Sequence, residues 1–318
     1  MAVLDPVTAG YLAGWKLVGR LPESVTGRVF ARGADWASGN GAGPEMLRRN
    51  LTRVVGPERV TRELVRDAMR SYARYWHGAF RLPQLAGQPG LLAELDAGVQ
   101  GRALIDASLD KGHGLILTLP HTGNWDMAGM WLAQRYGGFT TVAERVKPEA
   151  LFDAFVDFRE QLGFEVLPLT GGQRPPFARL KEVLRGNGIV CLMGERDLTG
   201  KGIAVDFFGE ETTIPAGPAK LAQETGAALC VAHSWFERDL TLPRWGFSVT
   251  GIEVPEATPG AGQEGLAVTA QRVADAFAAN IAQHPRDWHA LQPIWPADAA
   301  WRKQAHPRRE PIAQGGEA

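Results

Sequence analysis

From Gly114 onward the chain repeats one pattern, a short apolar run, a polar break and then an amphipathic segment several helical turns long. The runs at 115–119, 140–143, 165–169 and 189–193 read as strands, and the segments at 125–136, 148–162 and 177–185 between them read as helices. Strands this uniformly apolar must be covered on both faces, and a strand–helix–strand unit returns the chain in the same direction. The repeat therefore constrains the chain to the α/β class, with a central, mostly parallel β-sheet flanked by helices. Further along, 204–208 reads as an edge strand, 217–225 as a helix, 228–235 and 246–252 as two more strands, and 266–283 as a closing helix.

The first hundred residues have a different texture. Val60, Leu64, Ala68, Tyr72 and Trp76 recur at helical spacing, while Arg62, Arg66 and Arg70 fall on other faces, which predicts an N-terminal helical layer. We read residues 1–302 as one enlarged domain, with 1–100 as the helical layer and 101–302 as the α/β core. The polar stretch 303–318 is expected to be a flexible tail, because it has too little apolar surface to offset the entropy of ordering. A formal charge of −1 supplies no global basic field, so nucleic acid is not an expected partner. Cys191 and Cys230 each lie inside an apolar run and read as buried, reduced thiols. The stretch 9–19 is interrupted by Lys16, carries no cleavage signal and falls short of the roughly 20 apolar residues that span a bilayer.

One polar motif stands at the end of a predicted strand. His121-Thr122-Gly123-Asn124-Trp125-Asp126 follows the run 115–119 and Pro120, which places His121 at the carboxyl end of a strand, where open α/β sheets bind ligands. Asp126 falls in the first turn of the next helix. Its carboxylate is expected to accept a bond from one imidazole nitrogen, leaving the other as a general base. Taken alone, so short a spacing recurs by accident and is more simply that of a helix-capping loop with a polar histidine beside it. If the strand 189–193 runs parallel to 115–119, Glu195-Arg196-Asp197 emerges on the same sheet edge.

The block around His121 resembles the active-site segment of the glycerolipid and lipid A acyltransferase superfamily, particularly its bacterial late-acyltransferase branch. Glu144-Arg145, Phe158-Arg159, Gly194-Glu195-Arg196-Asp197, Phe207-Phe208-Gly209 and Pro215-Ala216-Gly217-Pro218-Ala219 follow in that branch's order and approximate spacing. Within it the chain is most similar to actinobacterial members that acylate phosphatidylinositol mannosides. The resemblance implies a glycerolipid-acyltransferase-like fold and transfer of a long-chain acyl group, such as palmitoyl, from acyl-CoA to a mannose hydroxyl, with no covalent enzyme intermediate. It implies His121 and Asp126 as the catalytic pair, Glu195 and Arg159 at the acceptor and its headgroup, and Glu144 and Arg196 as further substrate contacts. It also implies a peripheral position on the cytoplasmic face of the cell membrane. Many late acyltransferases carry Glu as the acidic residue and begin with a membrane anchor; this chain has Asp126 and no such segment.

The remaining features are plainer. His113, His233, His284, His289 and His306 form no ligand pattern, the cysteines are not spaced for a metal, and no glycine stretch follows a phosphate-loop motif, so neither metal nor resident cofactor is expected. Trp125 and Trp131 read as packing residues at helical spacing, and Trp288, Trp295 and Trp301 as an aromatic C-terminal cover. Ala9, Tyr11, Leu12, Trp15, Leu17 and Val18, with Lys16 and Arg20, are candidates for membrane contact. Two other functions fit the same pattern: acylation of another glycolipid or a lysophospholipid, and lipid binding without catalysis.

Overall fold

A computed structural model describes residues 14, 17–145, 149–172, 175–237, 245–255 and 262–298. The tail 303–318 with His306, residues 9–13, Trp15 and Lys16 of the N-terminal stretch, and Trp301 lie outside the described residues. The N-terminal part is helical, as its periodicity predicts: α1 (Glu23–Ala37), α2 (Glu45–Val55), α3 (Arg62–Leu85) and α4 (Leu91–Ala97). Next come β1 (Val99–Gln100) and α5 (Arg102–Asp110), and then the alternation β2 (Leu115–Leu119), α6 (Trp125–Tyr136), β3 (Phe139–Ala143), α7 (Glu149–Gln161), β4 (Phe164–Pro168), α8 (Pro176–Arg185) and β5 (Ile189–Met193). The remainder comprises β6 (Ile203–Phe207), β7 (Glu210–Ile214), α9 (Gly217–Thr225), β8 (Ala228–Trp235), β9 (Gly246–Ile252) and α10 (Gly262–Gln283).

Seven strands form one sheet in the order β1-β9-β8-β2-β5-β3-β4, and every adjacent pair is parallel except β8 and β9. β2 lies in the middle, with Leu119 opposite Met193 of β5, so the carboxyl ends of these two strands are level. Alternate residues separate the faces. Leu115, Leu117, Ile189 and Cys191 pack with α3 and α6, whereas Ile116, Val190 and Leu192 pack with α8, α9 and α10. Both cysteines are free and buried.

The reading of 204–208 as an edge strand of this sheet is corrected. β6 pairs only with β7, in a separate antiparallel hairpin turned by Phe208 and Gly209, both at positive φ. Two consecutive left-handed residues are what a tight two-residue hairpin turn requires. β7 was not anticipated, because Glu210-Glu211-Thr212-Thr213-Ile214 buries only Thr212 and Ile214 and so shows no apolar run.

α3 joins the two parts. Thr61 caps it by accepting the Leu64 N–H at 3.1 Å. Its early residues Val65, Ala68 and Met69 pack with α1 and α2, and its later residues Tyr75, Ala79 and Leu82 pack into the sheet layer. The carboxyl half of α3 thus overhangs the end of β2.

Candidate active site

His121 leaves β2 in a loop that is pinned on every side. The Gly123 N–H donates to the Asp287 carbonyl at 2.9 Å, the His289 N–H donates to the His121 carbonyl at 2.8 Å, and Thr122 forms an antiparallel bridge with Trp288. Ser234 at the end of β8 donates its hydroxyl to the Thr122 carbonyl. Gly123 has φ of +55°, and a Cβ there would lie 2.6 Å from the Ser234 carbonyl carbon, so the loop passes β8 only with glycine at this position. Asn124 then caps α6 by accepting the Met127 N–H at 3.0 Å.

Glu195 meets His121 from the neighbouring strand. Its Oε1 accepts the His121 backbone N–H at 3.0 Å and is bonded to the imidazole Nδ1. The strand ends come this close because Gly194 donates to the Leu119 carbonyl at 2.9 Å, and a Cβ on Gly194 would stand 2.2 Å from the Thr118 Oγ1. Glu195 is 1% exposed. Burial pushes its pKa up, but the charge of His121 and the two bonds from it more than offset that, so the carboxyl is held below its ordinary value. An ionised carboxylate only accepts, so Nδ1 carries a hydrogen, and in the neutral ring the lone pair falls on Nε2.

The expected bond between His121 and Asp126 is therefore corrected. Asp126 is buried and turned toward α3 and α7: its Oδ1 accepts Arg159 Nε at 2.9 Å and its Oδ2 accepts the Tyr75 hydroxyl at 2.8 Å. Burial opposes the Arg159 charge, yet Asp126 and Tyr75 outweigh burial and hold the guanidinium above its usual pKa. Burial raises the Tyr75 pKa, and the Asp126 charge adds to the rise. Trp125 stacks on Tyr75 with centroids 3.8 Å apart and meets His121 edge-on at 5.2 Å, tying the two clusters together.

A cavity of about 790 Å³ opens beside His121. Asp126, Arg159, Tyr75 and His289 supply its polar wall, and Trp76, Leu132, Phe139, Phe155 and Phe164 are among its apolar lining. This is the size and character of a small-molecule site. Arg196 lines it half-buried, and Glu144 lines it from the exposed end of β3. Glu195 sits behind His121 and is not part of the lining. Tyr75 and His289 were missed from the sequence: Tyr75 is 51 residues from its partner Asp126, and no local spacing links them. Among the described residues no group of His, Cys, Asp or Glu side chains converges as a metal site.

A strand-end histidine bonded to a buried carboxylate, beside a largely apolar cavity in a mostly parallel sheet, is the arrangement of an α/β enzyme that can move a proton next to an apolar substrate. Residues 4–296 match the family described as bacterial lipid A biosynthesis acyltransferase, and the chain belongs to that family. It is 54% identical over 305 residues to the phosphatidylinositol mannoside acyltransferase of Mycolicibacterium smegmatis, an alignment that covers 93% of each chain. It is 52% identical over 300 residues to the phosphatidylinositol mannoside acyltransferase of Mycobacterium tuberculosis, covering 94% of this chain and 91% of the relative.

Proposed function

We propose that this chain transfers a long-chain fatty acyl group from acyl-CoA to a mannose hydroxyl of a phosphatidylinositol mannoside, with His121 as general base and Glu195 as the group that orients it. The observation that carries this reading is the Glu195–His121 bond beside a cavity that is apolar along most of its lining and polar around His121. The acceptor hydroxyl bonds to the thioester carbonyl carbon as its proton passes to His121 Nε2. The tetrahedral intermediate then collapses with cleavage of the carbon–sulfur bond, and the imidazolium returns the proton to the departing thiolate. Glu195 stabilises the imidazolium in between, and no acyl-enzyme forms. Asp126, Arg159 and Tyr75 shape the wall that the acceptor meets; Arg159 and Arg196 suit oxygen-rich headgroups because guanidinium donors can bind oxygens in pairs.

The acceptor class rests on the names of the relatives. Incubating the protein with palmitoyl-CoA and a panel of phosphatidylinositol mannosides, other glycolipids and lysophospholipids, followed by product mass, tests it. Acyl-mannoside product that disappears in His121→Ala supports the reading; preferential labelling of another lipid overturns the acceptor, and no transfer to any acceptor overturns the reaction.

A lipid acceptor requires access to a bilayer surface, and we place the protein peripherally on the cytoplasmic face. No described helix is long and apolar enough to cross a membrane. Val25, Val29 and Trp36 share one face of α1 and are exposed, Trp36 at 86%; Leu17 and Leu21 are exposed just before the helix, and Arg28 and Arg32 are exposed on it. An apolar stripe with adjacent arginines suits an interfacial helix on anionic lipid. Val29→Asp with Trp36→Ala should weaken sedimentation with anionic liposomes; unchanged sedimentation counts against this face.

A further inference from the structure

His121 occupies an unusually constrained piece of backbone. Thr122 donates its N–H to the Pro120 carbonyl at 2.8 Å, which makes His121 the central residue of a three-residue turn at the end of β2. The His121 N–H goes to Glu195 Oε1 at 3.0 Å, the His121 carbonyl accepts the His289 N–H at 2.8 Å, and the Gly123 N–H goes to the Asp287 carbonyl at 2.9 Å. Among these groups the Thr122 carbonyl alone is held by a neutral side chain, the hydroxyl of Ser234 near the end of β8.

Ser234 grips Thr122 twice, since its own N–H also reaches Thr122 Oγ1 at 3.4 Å, and His233 Nδ1 stands 3.1 Å from the same oxygen. Ser234 is 3% exposed and Thr122 1%, and neither is part of the cavity lining, so a direct role in holding substrate does not fit them. The Thr122 carbonyl and the Gly123 N–H belong to one peptide plane. Ser234 holds one side of that plane and Asp287 the other, and together they stop it from rotating. Gly123, at φ of +55°, offers little resistance of its own to such a rotation. Without the Ser234 hydroxyl the buried carbonyl would be left unpaired, and the plane would turn in search of a donor. His121 is the next residue back, so that turn would tilt its ring away from Glu195. A misaligned base slows proton transfer without weakening binding.

We propose that Ser234 is a positioning residue of the reaction, its hydroxyl locking the Thr122–Gly123 peptide so that the His121 ring stays aligned on Glu195. The proposal rests on the reading of His121 as the general base. Ser234 acts through His121 and touches neither substrate.

Two substitutions in the full-length chain separate the hydrogen bond from the space it fills: Ser234→Ala removes the hydroxyl, and Ser234→Cys keeps the site filled with a weak donor. In the folded fraction of both, kcat should fall about 10- to 100-fold, with the KM for palmitoyl-CoA and for the mannoside acceptor within about twofold of wild type. In protein carrying 15N-histidine, the His121 Nδ1–H resonance, assigned by its loss in His121→Ala, should move upfield or broaden in both variants as the bond to Glu195 loosens. Where one variant does not fold, the other decides. Wild-type kcat in either variant, a KM that rises in step with the fall in kcat, or an unmoved Nδ1–H resonance overturns the proposal. Undiminished transfer by His121→Ala would sink the general-base reading and this proposal with it; an inactive His121→Ala beside a fully active Ser234→Ala would sink this proposal alone.

Discussion

Glu195→Gln and Asp126→Asn remove one buried negative charge each with almost no change of shape, and the structure assigns them opposite consequences. The Glu195 carboxylate bonds the His121 ring and its backbone N–H. Its loss should leave the imidazolium of the transition state uncompensated, and kcat should fall about 10²- to 10⁴-fold, roughly 3–5 kcal/mol of barrier, with both KM values little changed. Asp126 is 3% exposed and holds Arg159, whose side chain is 20% exposed. Asp126→Asn strands that cation, and breaking one side of a buried pair costs about 3–5 kcal/mol of stability, on the order of 10 °C in Tm for a chain this long. Its folded fraction should retain kcat within about tenfold of wild type, because His121 keeps its orienting bond. The assay is steady-state acyl transfer on both variants, corrected for folded fraction by circular dichroism and thermal melting at the assay temperature. A larger kcat loss in folded Asp126→Asn than in Glu195→Gln would refute the assignment and restore Asp126 as the partner of His121.

Three further outcomes follow from the geometry. A Cβ on Gly129 of α6 would stand 2.7 Å from Phe164 Cζ and 3.1 Å from Phe139 Cζ on the cavity wall, so Gly129→Val should shorten the preferred acyl chain. Displacing two methylenes costs about 1.6 kcal/mol, roughly 15-fold in the ratio of kcat/KM for palmitoyl-CoA to octanoyl-CoA, and an unchanged ratio would place the acyl chain elsewhere. Gly194→Ala should cost about 1–3 kcal/mol in urea unfolding through the clash with Thr118, and Thr118→Ala should restore part of it; additive losses would refute that cause. Burial raises Asp287 from 3.8 to about 6, so the stability it contributes is complete below the unfolded value and is lost as pH rises through about 6. Asp287→Asn should therefore gain roughly 3 kcal/mol relative to wild type between about pH 4 and about pH 7.5, and a pH-independent difference would sink this.

The α/β frame was legible because it is written locally. The runs that become β2, β5 and β8 are largely apolar on both faces, and the helices between them carry their own punctuation, such as Asn124 before α6 and Gly137 after it. The emergence of His121 and Glu195 on one sheet edge was legible too, given parallel strands. What could not be read was lateral order. The sequence does not say that β5, reached only after two further strands, inserts directly beside β2, and that insertion gives the Nδ1 of His121 to Glu195, 74 residues away, instead of Asp126. Tyr75 and His289 were hidden for the same reason, since one lies on a helix before the sheet and the other follows its last helix. β7 failed differently, because its inward residues are a threonine and an isoleucine between polar neighbours.

Charge accounting explains why adjacency in sequence was a poor guide to the chemistry. A carboxylate helps a general base by favouring the imidazolium, and it can do so only to the extent that its own charge is not already neutralised. Arg159 is a permanent cation bonded to Asp126 through Nε, so from the position of His121 the two charges largely cancel. Among the described residues no arginine or lysine forms an ion pair with Glu195; its Oε1 is occupied by His121 and its Oε2 has no hydrogen-bond partner. Buried and bonded to His121, Glu195 is placed to favour a positive charge on that ring, which is the charge the proposed reaction would create there. Asp126 directs its carboxylate at Arg159 and Tyr75 and so holds the polar wall of the cavity in place.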